Sequence, residues 1–263
     1  MPNGSLDNHL FGRQEKTLNW DHRYKILQGV ASALHYLHDE YDQRVVHRDL
    51  KASNIMLDSN FNARLGDFGL ARALDNEKTS YHELEGVPGT PGYMAPECFH
   101  TGKATPESDV FAFGAVILEV VCGQRPWTRI GGFQYLVDWV WTLYREGRIL
   151  EAVDERLMDN YDKPLAECLL LLGLACSHPI AVERPKTPII VQIISRSILP
   201  PNVPYIKPAF IWPAIGFNIN DLTIDTQDST PMTSSYYNYG SEDWTPRCES
   251  RENLASYTDI SLT

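Results

Sequence analysis

His47-Arg48-Asp49-Leu50-Lys51-Ala52-Ser53-Asn54, with Asp67-Phe68-Gly69 a short way behind it, decides how this 263-residue chain is read. Two carboxylates, a lysine and an amide fall into one short span, and the combination reads as phosphoryl-transfer chemistry. Moving a γ-phosphoryl group asks little covalent work of a protein. It asks for a positioned hydroxyl, neutralised phosphate oxygens and metal ions held in place. The plain alternative, a strand-loop-strand with scattered polar residues, leaves too many positions fixed at once without a reason.

A third motif, Ala95-Pro96-Glu97, follows in order. H-R-D-L-x-x-x-N, then D-F-G, then A-P-E resembles the eukaryotic protein kinases. That resemblance implies roles residue by residue. Asp49 orients the substrate hydroxyl and accepts its proton, Lys51 reaches the transferring phosphate, and Asn54 and Asp67 hold Mg²⁺, or Mn²⁺ in its place. A lysine at position 51 resembles Ser/Thr-type kinases. His47 is expected to brace the loop. Arg48 is expected to pair with a phosphorylated segment within residues 71–90, with Thr79 or Ser80 carrying the phosphate; a loop of merely solvated hydroxyls is the plain alternative. Thr90, inside Gly89-Thr90-Pro91-Gly92-Tyr93, resembles the threonine that hydrogen-bonds the catalytic Asp and Lys. Asp109 is expected to hold the backbone of the catalytic loop, and Glu97 to pair with Arg184.

Upstream, Met1-Pro2-Asn3-Gly4-Ser5-Leu6-Asp7 resembles the segment just after the hinge between the two kinase lobes in plant receptor-like kinases. The resemblance puts the Met1 N–H on the adenine of ATP and Met56 under the adenine ring. The glycine-rich loop G-x-G-x-x-G-x-V and a V-A-I-K lysine do not occur in the sequence, and Gly131-Gly132 does not make the pattern. Over residues 18–38, Tyr24, Leu27, Val30 or Ala31, Leu34 and Leu37 recur at helical spacing, with Asn19 or Asp21 able to cap the start. Trp20, His35 and His38 are read as packing and helix-end residues, since no metal-ligand partner stands at i+4 from either histidine in a suitable pattern. Val45-Val46 reads as a short strand, and residues 55–58 and 63–65 as a hairpin turning at Ser59-Asn60. Residues 108–119, apolar on nearly every side, predict a central buried helix. Residues 136–144 and 150–157 predict further helices. Together with Ala175-Cys176-Ser177-His178-Pro179, Leu199-Pro200-Pro201-Asn202-Val203-Pro204 and Lys207-Pro208, these phrases resemble most the L-type lectin receptor-like kinases.

With 43% hydrophobic residues the chain can bury a core, and its net charge of −11 argues against a general nucleic-acid or anionic-membrane surface. No secretory signal or transmembrane run is expected; the most apolar run, residues 110–122, is short and broken by Glu119. Five cysteines, odd in number and without paired metal spacing, fit reduced thiols. The expected fold is therefore α+β and protein kinase-like. Residues 1–199 form the hinge end and a mainly α-helical C-terminal lobe with small β-hairpins, without the N-terminal lobe. Residues 200–263 form a Pro-rich, then acidic Ser/Thr/Tyr-rich tail, largely disordered. The expected function is ATP-dependent phosphorylation of Ser/Thr hydroxyls. The partners are a protein substrate and a receptor or co-receptor kinase, the parent receptor sits at the plasma membrane, and this chain alone is cytoplasmic. The alternative is an inactive, truncated lobe acting as a binding or regulatory module.

Overall fold

The computed structural model describes residues 1–12, 17–73, 81–82 and 89–210, the pair 81–82 by backbone alone. Thr79, Ser80 and the acidic tail expected from 218 onward lie outside the described residues.

Segment α1 (Leu6–Phe11) buries Leu6 and Leu10. The residues before it run antiparallel to β2 (Ile55–Leu57): the Leu57 N–H donates to the Gly4 carbonyl at 2.8 Å, and the Asn3 N–H to the Leu57 carbonyl at 3.2 Å. Helix α2 (Trp20–His35) begins on Asn19, whose side-chain oxygen accepts the His22 N–H at 2.9 Å, and buries Ile26, Leu27, Val30, Ala31 and Leu34. Its spacing predicted a helix to residue 38. The α-helical ladder instead stops at His35 and widens into a π-turn over Tyr36–Glu40, closed by the Tyr41 N–H on the Tyr36 carbonyl. The wider turn carries a buried His38.

Strand β1 (Val45–Val46) feeds the loop and pairs antiparallel with β4 (Arg72–Ala73), while β2 pairs with β3 (Ala63–Leu65). The turn between β2 and β3 is tied by Asp58, which accepts the Asn60 and Asn62 N–H groups at 2.8 and 2.9 Å. Strand β5 (Tyr81–His82) pairs with β6 (Lys103–Ala104) beyond α3 (Pro96–Thr101).

Helix α4 (Pro106–Cys122) is the centre of the core. Thr105 and Ser108 cap it reciprocally, Pro106 occupies its first turn, and Gly123 ends it at φ +64°. From Val110 to Cys122 all but Phe111 are buried, as a helix apolar on nearly all sides demands. Helix α6 (Lys163–Cys176) lies against it. Two glycines permit the approach: a Cβ on Gly114 would stand 2.7 Å from the Ser177 backbone nitrogen, and one on Gly173 2.6 Å from a Leu118 methyl. Helix α7 (Thr187–Ile194) covers α2, with the Tyr24 hydroxyl donating to the Ile194 carbonyl at 2.7 Å.

Beyond Gly123, β7 (Trp127–Ile130) and β8 (Phe133–Tyr135) form a hairpin through Gly131-Gly132, both at positive φ. Helix α5 (Leu136–Arg145) follows. The helix predicted over residues 150–157 is instead two 3₁₀ turns, Ile149–Ala152 and Glu155–Leu157. They are separated where the Asp154 N–H bonds the Val121 carbonyl and its carboxylate meets Arg23 at 2.6 Å and Arg156 at 2.8 Å. The proline-rich stretch carries no helix from 201 to 210. It lies on α5: Val203 is buried, and its carbonyl and that of Pro204 accept the Tyr144 hydroxyl and the Trp141 indole N–H.

Candidate active site

Asp109, at the first turn of α4, anchors the loop. Its carboxylate accepts the backbone N–H of His47 at 2.7 Å and of Arg48 at 2.8 Å, and the His38 ring nitrogen stands 2.9 Å away. Asp109 and His38 are both buried, so the carboxylate's acceptor capacity goes to the loop and to one imidazole. The grip is firm enough to keep Arg48 at φ +74°, a left-handed conformation that side chains rarely adopt. The Arg48 guanidinium donates to the Leu70 carbonyl at 3.2 Å. His47 is fully buried; its Nδ1 accepts the Asp49 N–H at 3.4 Å, which leaves Nε2–H to donate to the Gly66 carbonyl at 3.1 Å. Its ring also meets Phe68 at 4.9 Å.

The chemistry-bearing groups converge on Asp49. One carboxylate oxygen accepts the Thr90 hydroxyl at 2.8 Å, and the other lies 2.7 Å from Lys51 Nζ. Lys51 in turn donates to the Thr90 hydroxyl oxygen at 3.0 Å, closing a triangle. The Asn54 side-chain nitrogen donates to the Asp49 carbonyl at 2.9 Å and to its carboxylate at 3.1 Å. With its nitrogen committed in this way, the Asn54 amide presents its oxygen as the remaining polar atom. Asp67 is exposed and left-handed (φ +54°), and among the described residues its carboxylate receives only a 3.4 Å approach from the Gly69 N–H. Asn54 and Asp67 therefore offer hard oxygen donors with open coordination capacity, the donor set that Mg²⁺ takes beside phosphate oxygens.

Met56 is half-buried on β2, bridging to Ser5, and Met1 is exposed at the start of that same edge, its carbonyl taking the Gly4 N–H at 3.1 Å. Glu97, on α3, meets Arg184 through two bonds of 2.6 and 2.7 Å. That guanidinium is wholly enclosed, donating also to the His178 and Glu107 carbonyls at 2.8 and 2.9 Å. Beside the triangle, Gly92, Met94, Trp127, Tyr135 and Phe210 help line an apolar groove of about 800 Å³.

Sequence reasoning missed one pair next to the site. The Tyr93 hydroxyl donates to the Glu119 carboxylate at 2.6 Å, and Glu119 is fully buried in α4. Burial pushes the Glu119 carboxyl up to about 8 and the Tyr93 phenol up as well. The available signal was a lone acid inside the apolar run 110–122. His38, read as a packing residue, is instead the third contact of Asp109.

A family profile described as the protein kinase domain matches residues 1–147. The chain is 45% identical over 230 residues to the probable L-type lectin-domain containing receptor kinase S.5 of Arabidopsis thaliana, covering 84% of this chain and 35% of that protein. It is 48% identical over 234 residues to the probable L-type lectin-domain containing receptor kinase S.7 of the same plant, covering 87% and 34%. With the L-type lectin-domain containing receptor kinase SIT2 of Oryza sativa it shares 46% over 238 residues, covering 90% and 34%. The chain thus spans about a third of the length of the curated relatives it matches.

Proposed function

The chain belongs to the protein kinase family, and from that premise we propose that it carries the C-terminal-lobe half of a Ser/Thr kinase site, acting on protein hydroxyls with Mg-ATP. The observation that carries this reading is the closed triangle of Asp49, Lys51 and Thr90, with the Asn54 amide locked beside it.

Bound Mg-ATP supplies the γ-phosphoryl group and the positive charge that offsets its oxygens. The remaining work falls to the chain. Asp49 takes the proton of an incoming serine or threonine hydroxyl and aims its oxygen. Lys51, held by the same carboxylate, presents its ammonium to the transferring phosphate. Asn54 and Asp67 would hold the metal through oxygen, and Met1 and Met56 would border the adenine. Thr90 keeps Asp49 and Lys51 in register, and positioning of this kind supplies most of the rate in such chemistry. Arg48 pairs through its guanidinium with a phosphate carried on Thr79 or Ser80. The relatives are receptor kinases with an L-type lectin domain, and the same reading makes the parent a plant signalling receptor whose kinase part faces the cytoplasm at the plasma membrane.

Two measurements test this. Mg-ATP titration calorimetry should give binding that Asp67→Ala abolishes. Phosphate transfer to Ser, Thr and Tyr peptides should favour the first two and fall at least 100-fold in Asp49→Asn, the scale on which a positioned general base acts. Binding without transfer, in folded protein, would assign the chain to the other reading, a contact or regulatory module.

A further inference from the structure

The apolar groove beside the Thr90 loop takes part of its wall from the chain's own proline-rich segment. Trp141 and Tyr144 of α5 hold the carbonyls of Pro204 and Val203, and Lys207 then pairs with Asp138 at 2.5 Å. From there Lys207-Pro208-Ala209-Phe210 lines the groove. Phe210 is the last described residue of this stretch, and its ring stacks on His100 at 5.3 Å. Three more aromatic rings line the same groove: Phe99, 63% exposed, and Trp127, 50% exposed and stacked on Tyr135, itself exposed. Single exposed apolar residues are ordinary on a protein surface. A continuous apolar groove of about 800 Å³ bordered by exposed rings marks a place that something covers.

Ile211-Trp212-Pro213-Ala214 follows Phe210 directly in the sequence and lies outside the described residues. We propose that this stretch is the occupant of the groove, with the Trp212 ring seated among Phe99, Trp127 and Tyr135. The proposal makes no use of the kinase reading. Reach favours it, because an extended residue advances the chain by at most about 3.6 Å, so the Trp212 backbone lies within roughly 7 Å of Phe210. Tethering favours it as well: a ligand attached to the wall of its own site binds at high effective concentration and loses no free translation. The chemistry matches, since tryptophan offers a large apolar face to rings that it meets edge-on or in offset stacks. Pro213 biases the residue before it towards extended backbone, which continues the helix-free course of residues 201–210. A second copy is the poorer occupant, because each chain carries a net charge of −11 and two copies repel. The consequence is a self-capped face beside the Thr90 loop, open to another polypeptide only when Trp212 leaves it.

The test is nuclear Overhauser spectroscopy on the full chain, from the methyl groups of Met94 and Val137, both in the groove wall, to indole protons. The expected result is a set of indole cross-peaks in the wild type that Trp212→Ala removes and that Phe99→Asp removes too. Phe99 is exposed, so the aspartate alters the groove and spares the core. Absence of any Trp212 cross-peak in the wild type overturns the proposal and leaves the groove to a separate polypeptide. Cross-peaks that persist undiminished in Phe99→Asp overturn the groove as the seat of Trp212. The same spectra are recorded on an equal mixture of methyl-labelled and unlabelled chains, filtered for contacts between chains. Cross-peaks confined to that filtered spectrum overturn the proposal in favour of a second copy, and cross-peaks within one chain alone bear it out.

Discussion

Asp109 and Glu119 sit on one helix as buried carboxylates with opposite accounts. Asp109 spends its acceptor capacity on two loop N–H groups and His38. Replacing it by Ala leaves buried donors unmatched at roughly 1–3 kcal/mol each. Urea unfolding of Asp109→Ala should therefore lose at least about 3 kcal/mol, and a loss under about 1 kcal/mol would show that the loop is held elsewhere. Glu119 is raised by burial to about 8 from its ordinary 4.5. The folded state then keeps a proton that the unfolded chain releases, so its contribution is full below pH 4.5 and is lost as pH rises towards 8, at up to roughly 1.4 kcal/mol per pH unit. Relative to wild type, Glu119→Gln should gain stability steadily between pH 5 and 8 in denaturant titrations. Parallel profiles for the two proteins would refute the raised affinity.

At the scale of elements, the fold depends on close approach as much as on hydrophobicity. A methyl on Gly114 would meet the Ser177 backbone, while one on Gly173 would meet the movable end of Leu118. Alanine helps a helix by up to about 1 kcal/mol over glycine, yet overpacking costs about 1–3 kcal/mol. Gly114→Ala should thus destabilise clearly and more than Gly173→Ala, a ranking that thermal melts of the two variants read directly. Elements of this kind were largely legible in the sequence. The run 108–119 announced a buried helix, and the spacing of Leu27, Val30 and Leu34 announced α2. What was illegible was where local order gives way to distant partners. The π-turn at Tyr36–Glu40 carries His38 to Asp109, and the break at Asp154 serves Arg23, more than a hundred residues away in sequence. Periodicity carries no record of such pairings. The site motifs were legible for the converse reason: each residue type is fixed by the chemistry at one position, so the pattern survives without knowledge of the fold. Tyr93 and Glu119 belong to neither class, being an ordinary tyrosine and a misplaced acid until α4 brings them to 2.6 Å.

Across the whole described molecule, the proline-rich segment is the part whose composition says least about its place. Prolines exclude a helix there, and that alone would suit a loose tail. Val203 is nevertheless buried, Tyr144 and Trp141 donate to the carbonyls of Val203 and Pro204, Tyr205 stacks on Tyr144 at 5.5 Å, and Phe210 stacks on His100 of α3. The segment therefore ties α5 to the helix that follows the Thr90 loop, using backbone carbonyls that an extended, proline-rich chain leaves free. Val203→Asp should detach it, because a carboxylate cannot enter that seat without a partner. Losing the burial of one valine and two hydrogen bonds amounts to about 3–5 kcal/mol, which for a domain of this size lowers the melting temperature by roughly 6–20 °C. Trp141 fluorescence should shift to the red as its indole N–H exchanges a carbonyl for water. An unchanged melt with the red shift would mean that the segment rests on α5 without stabilising it. An unchanged melt and spectrum would mean that Val203 is not what holds it.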